Sequence, residues 1–181
     1  MSFVKRVSLL ILGIVILGAV SACTGARTPH LAVDEHPLPQ VLDYEALLAA
    51  PDMPVTDTRQ RLVETAKSFL GTPSKRGGKT PEGFDCTGYI FYVYQQGANI
   101  MLPRKSHDQV QFGKMICPVD LQPGDLIYFS VTGSRSLHLG LYLGEGDFIH
   151  APSTRGAIRI ESLGSPEWRT RFLGARRVLP S

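Results

Sequence analysis

Leucine occupies every second position in Leu137-His138-Leu139-Gly140-Leu141-Tyr142-Leu143. Only an extended strand puts such residues on one face, because a helix would scatter them around its circumference. The segment is therefore expected to be a strand with its leucines on a core and His138, Gly140 and Tyr142 on the opposite face. Apolar runs at Leu126 to Phe129, Phe148 to Ala151 and Ala157 to Ile160 read as further strands. If Gly144-Glu145-Gly146 closes a three-residue hairpin loop, Leu143 opposes Asp147 and Gly140 opposes His150. His138 then becomes the diagonal neighbour of His150, with the bare Gly140 leaving room for one imidazole to lean toward the other.

Upstream the period changes. Asp57 with Gln60 makes a capping pair, and Leu62, Ala66, Phe69 and Leu70 recur at helical spacing until Gly71. Gly71 to Gly83, rich in Gly, Pro, Lys and Arg, reads as a loop. Asp85 stands at an N-cap position, after which Tyr89, Ile90, Val93 and Tyr94 share one helical face before Gly97 ends the pattern. A short helical segment around Ser106 to Phe112 follows. Helices first and antiparallel strands after them predict an α+β domain, its sheet packed against the helix that carries Cys86.

That position has chemical meaning. A thiol attacks as thiolate, and the unpaired N–H groups and dipole of a helix N-terminus favour negative charge there. The same groups can hold the oxyanion of a tetrahedral intermediate. Cys86 is the candidate nucleophile, and His138, oriented by His150, is the candidate base. Zinc on Cys86, His138 and His150 is disfavoured because no Cys-x-x-Cys or His-x-x-x-His pair accompanies them, so no metal and no cofactor is expected. Residue spacing alone leaves an inert alternative open, since a lone cysteine is often a small buried hydrophobe and a strand histidine structural.

The amino terminus reads differently. Lys5 and Arg6 precede an uncharged apolar run from Val7 to Val20, then Ser21, Ala22 and Cys23. At about 14 residues the run is short of the roughly 20 that span a bilayer, and it has the layout of a secretory signal. Val20-Ser21-Ala22-Cys23 resembles the lipobox of bacterial lipoproteins, which implies acyl chains on Cys23 and cleavage before it. The expected organisation is a signal peptide at 1–22, a lipidated Pro-rich tether at 23–56 and a catalytic domain at 57–181. Removing the signal takes Lys5 and Arg6 and no acid, so the basic side chains fall by two from 19 to 17 against 16 acidic ones. With no dense basic run, nucleic acid is not an expected partner. Arg169, Arg171, Arg176 and Arg177 read as a mild basic tail, and Cys86 and Cys117 are expected to stay separate thiols.

Phe84-Asp85-Cys86-Thr87-Gly88-Tyr89, Leu102-Pro103-Arg104, Pro123-Gly124-Asp125-Leu126, His138 to Gly144 and Phe148-Ile149-His150-Ala151 resemble the NlpC/P60 family in order and spacing, over about residues 58 to 179. The resemblance implies a reduced papain-like fold and a peptidoglycan endopeptidase, typically cutting between D-γ-glutamyl and diaminopimelyl residues of the stem peptide. It implies Cys86 as nucleophile, His138 as general base and later acid, and His150 as the group that orients His138. Asp85 matches an acidic residue that positions the loop and can recognise a substrate amine, a role that competes with simple N-capping. Arg104 is expected either to hold a loop to the domain or to pair with a substrate carboxylate. Relatives usually carry an aromatic residue, often Tyr, twelve positions before the cysteine. This chain has Ser74 there, able to replace it in part as a substrate contact, and Arg76 at a spot more often aromatic or aliphatic.

The expected partners are peptidoglycan stem peptides and, through Cys23, a membrane. The chain is expected to act as a monomer in the cell envelope, facing the wall, on the periplasmic side of the outer membrane where there is one. Two other readings stay open: an amidase or acyltransferase acting on another amide, and a non-catalytic peptidoglycan-binding lipoprotein.

Overall fold

The structure, a computed structural model, describes residues 55–132, 136–152 and 156–179. The expected signal peptide, Cys23 and the expected tether up to residue 54 lie outside the described residues, and residues 55 and 56, also assigned to the tether, open the first helix. Helix α1 (Val55–Lys67) starts early enough that Asp57 sits within its first turn, where a carboxylate suits the dipole, and does not cap it. The Gly-rich loop contains a small antiparallel pair, β1 (Lys79–Thr80) and β2 (Gly83–Phe84). Helix α2 (Cys86–Ala98) is capped by Asp85 and runs past Gly97 to a left-handed Asn99 at φ 57°. Its face of Tyr89, Ile90, Val93 and Tyr94 is fully buried against Leu62 and Ala66 of α1. The two phenols donate to backbone carbonyls, Tyr89 to Ala66 at 2.8 Å and Tyr94 to Gly124 at 2.7 Å. Those bonds let the polar ends sit in an apolar core.

Helix α3 (Ser106–Gln109) leads to β3 (Lys114–Ile116), a 3₁₀ turn (Pro118–Asp120), β4 (Leu126–Ser130), β5 (Leu137–Gly144), β6 (Asp147–His150) and β7 (Arg159–Ser162). The fold ends with α4 (Pro166–Arg171) and β8 (Phe172–Arg177). The six longer strands form one antiparallel sheet in the order β3-β8-β4-β5-β6-β7, with α1 and α2 packed on one face, so the domain is α+β. The expected basic tail is instead α4 and an inner strand of the sheet. Along β8 only Ala175 is fully buried. Its strand character comes from ladders to β3 and β4 on both sides, which no apolar alternation announces.

The leucines of β5 do face the main core, with Leu139 and Leu141 fully buried. The opposite face is not open to solvent, however. Ile127, Phe129, Phe148, Ala175 and Trp168 of α4 make a second apolar cluster over it. His138 is thereby 3% exposed and His150 fully buried. The β5–β6 register starts as expected, Leu141 opposite Ile149 and Tyr142 opposite Phe148, then shifts so that Gly144 meets Asp147. A bulge and a two-residue turn replace the three-residue loop. A Cβ on Gly140 would come 2.7 Å from Cδ2 of Phe148, so the room this glycine leaves holds a phenyl ring and not an imidazole.

A buried carboxylate locks the sheet to α1. Asp125, 1% exposed, accepts from Gln122 N at 2.9 Å and from Arg177 Nε and Nη2 at 3.0 and 2.8 Å, and Arg59 Nη1 lies 3.7 Å away. Removing one member of a buried pair strands the other charge. Asp125→Ala is expected to lower unfolding stability in urea by about 3–5 kcal/mol, and a loss under about 1 kcal/mol would show the cluster to be dispensable.

Candidate active site

Cys86 opens α2 and is a free thiol, so it is not paired with Cys117. The backbone N–H groups of Leu139 and Thr87 bear on the Cys86 thiol and favour its thiolate. Leu139 directly follows His138, so the start of α2 docks on the histidine-bearing strand just where its partner β6 runs out at His150. Burial pushes the thiol up; the two N–H groups and Arg104 pull it down, Asp85 pushes it up again, and burial prevails. The helix end thus acts in the expected direction and is outweighed. The resting site holds a thiol that needs a base.

The candidate base, His138, directly precedes Leu139 on β5. His138 Nε2 and His150 Nδ1 are 2.6 Å apart, with the rings nearly perpendicular. Trp168 lies along His138 at 5.5 Å between ring centres and 27° between planes, and meets His150 edge-on at 5.0 Å. Burial, then the neighbouring His150, pushes His138 down to about 3; burial pushes His150 down to about 4 against the pull of Glu161. Both rings are therefore neutral at pH 7, the state in which an imidazole can take a proton. The Nε2 of His138 is engaged by His150.

Asp85 and Arg104 form the other wall of the helix end. Asp85 Oδ1 accepts from Gly88 N at 2.7 Å and Thr87 Oγ1 at 2.9 Å, and Oδ2 accepts from Arg104 Nη2 at 2.7 Å. Arg104 also donates to Thr87 Oγ1 and, at 3.4 Å, to the Gly78 carbonyl. Burial raises the Asp85 carboxyl, but these bonds outweigh it and hold it below its ordinary value. A Cβ at Gly88 would lie 2.0 Å from the Gly78 oxygen, so loop and helix end touch backbone to backbone. Gln109, fully buried, donates to the carbonyls of Thr87 and Pro103 at 3.0 and 2.7 Å. Asp85 caps and Arg104 clasps the loop; both side chains stay partly exposed, at 26% and 37%.

Ser74 sits in an extended segment bridged to Phe84, its N–H bonded to the Gly156 carbonyl at 2.8 Å. Its hydroxyl is buried with no hydrogen-bond partner among the described residues. Two site residues escaped the sequence reading, Glu161 and Trp168. The signal for Trp168 was its being the only tryptophan of the chain, in a Pro-led segment after the last apolar run. Among the described residues no group of three His, Cys, Asp or Glu side chains is placed to hold a metal ion.

Fold and site together define an α+β domain of reduced papain-like architecture, with a helix-borne thiol against a histidine pair. The profile of the NlpC/P60 family matches residues 71–177, and the chain belongs to that family. It is 32% identical over 167 residues to the Escherichia coli K12 protein named murein DD-endopeptidase MepS/murein LD-carboxypeptidase, covering 88% of this chain and 86% of that one. It is 39% identical over 131 residues to the gamma-DL-glutamyl hydrolase of Bacillus subtilis, covering 71% of this chain but only 30% of that longer protein. The crystal structure of an NlpC/P60 family protein from Bacillus cereus matches with a TM-score of 0.63 at 35% identity, covering 72% of this chain and 42% of that one.

The buried neutral histidines set a pH dependence. Unfolded imidazoles titrate near 6.5 and these fold with values of about 3 and 4, so between those limits the unfolded chain binds more protons. Stability is full above about pH 6.5 and falls as pH drops toward 4. The thermal midpoint should be flat from pH 8 to 7 and decline below 6.5, less steeply for His138→Gln. A midpoint that ignores pH over this range would mean the pair is not buried neutral.

Proposed function

We propose that this chain is a cysteine hydrolase of peptidoglycan stem peptides, with Cys86 as nucleophile, His138 as base and His150 as the group that orients it. The observation that carries the reading is the 2.6 Å contact between His138 and His150, on the strand whose next N–H bears on the Cys86 thiol. His138 Nδ1 takes the thiol proton as sulfur attacks the amide carbon, and the oxyanion meets N–H groups at the start of α2. The C–N bond breaks as His138 returns the proton to the leaving amine, leaving an acyl thioester on Cys86. Water, losing a proton to His138, then cleaves the thioester, releasing a carboxylate and restoring the thiol.

The bond favoured is that between D-γ-glutamyl and diaminopimelyl residues, in keeping with the family resemblance and the γ-glutamyl activity in the Bacillus relative's name. A second reading, cleavage of the DD cross-link, is favoured by the near full-length match to the Escherichia coli protein. The chemistry is the same and the product masses differ. Mass spectrometry of muropeptides incubated with the protein should show cleavage that Cys86→Ala reduces more than about a thousandfold and His138→Ala nearly as much. Equal cleavage by Cys86→Ala would exclude the mechanism, and no cleavage by folded wild type would favour another amide or a wall-binding role.

We also propose that the chain is exported and held to a membrane by acyl chains on Cys23, with residues 24–56 as tether. The charged, apolar, small-residue order before Cys23 supports this. The mature protein should carry the mass of a diacylglyceryl group on Cys23. A Cys23–Cys117 disulfide in its place would overturn the anchor.

A further inference from the structure

The polar chain does not stop at His150. Its Nε2 is buried and has no hydrogen-bond partner of good geometry among the described residues, yet Glu161 Oε1 faces it at 3.5 Å. In the β6–β7 ladder Glu161 opposes Phe148 and Arg159 opposes His150, so these four side chains share one face and Glu161 is the diagonal neighbour of His150. The carboxylate is itself held. Arg159 Nε donates to Oε1, and Trp168 Nε1 donates to Oε2 from the ring that lies along His138. One short segment, β7 to α4, thus supplies both the acceptor behind His150 and the cover over His138.

An ionised carboxylate can only accept, so the ring nitrogen facing it carries a hydrogen. With Nε2 of His150 protonated, its Nδ1 is an acceptor, and the 2.6 Å contact becomes a hydrogen bond donated by His138 Nε2. His138 is then left with an unprotonated Nδ1 for the thiol. In the reverse arrangement His150 Nδ1 donates and His138 holds its hydrogen on Nδ1, so its only lone pair is the one engaged with His150 and none is left for the thiol.

We propose that Glu161 is a positioning residue that sets the tautomers of His150 and His138, so that the lone pair of His138 faces Cys86. The proposal rests on the Cys86, His138 and His150 reading above. Its test reads tautomers as well as turnover. In the full chain, ¹⁵N NMR of the ring nitrogens should show His138 protonated on Nε2. Glu161→Leu should shift that signal toward the Nδ1–H form and lower kcat by about 10- to 100-fold with KM little changed. Glu161→Gln, which keeps an acceptor oxygen, should recover most of both. If Glu161→Leu keeps the wild-type tautomer and kcat while only its Tm falls, Glu161 is a staple between β7 and α4 and the proposal fails. If Glu161→Leu is too unstable to assay, wild-type tautomers opposite to those stated, or Glu161→Gln without effect on a wild type that already lacks the Nε2–H form, would equally sink it. Failure of the triad would show separately, as activity retained by Cys86→Ala, because the NMR signals are read on resting protein.

Discussion

The Leu139 N–H bears on the Cys86 thiol where the helical half of the domain meets its sheet, and the candidate site is built at that junction. Cys86 begins a helix whose apolar face is spent on α1 and the main core. Leu139 belongs to a strand whose leucines line the same core. Packing those two apolar faces together carries the helix start to the end of β6, where a strand N–H is left for sulfur. His138, one residue back, points to the other side of the same strand.

Polar groups in this region are buried, and burial decides their charge. Both imidazoles are neutral and the thiol keeps its proton because desolvation exceeds every favourable neighbour. Such a resting state avoids an isolated buried charge, and in the proposed reaction proton transfer waits for the moment of attack, where the helix N-terminus meets the oxyanion. The Asp85 carboxylate beside the site stays ionised by a different route, through three hydrogen bonds, one of them from Arg104. Those bonds fix the cap, the loop at Gly78 and the segment at Arg104 as one unit around Cys86.

Much of this was legible in the residues. Leucine alternation defined β5, the Asp85 cap and the Tyr89 to Tyr94 face defined α2, and turn glycines put His138 and His150 on adjoining strands. β8 and α4 were not legible, because their order comes from ladders and from burying one tryptophan, not from any repeating pattern. Glu161 was invisible for the same reason: alternate charged residues in an edge strand look like a solvated face until a neighbour strand supplies a histidine.

By itself, then, the sequence determined which residues could share a face, where helices begin, and which side chains have the chemistry of nucleophile and base, since these follow from local periodicity and residue type. Only the tertiary structure decided that the histidine face would be roofed by Trp168, that the thiol would be raised and not lowered, and that Glu161 would stand behind His150. Each of those depends on burial or on a contact between segments distant along the chain, and neither has a local signature.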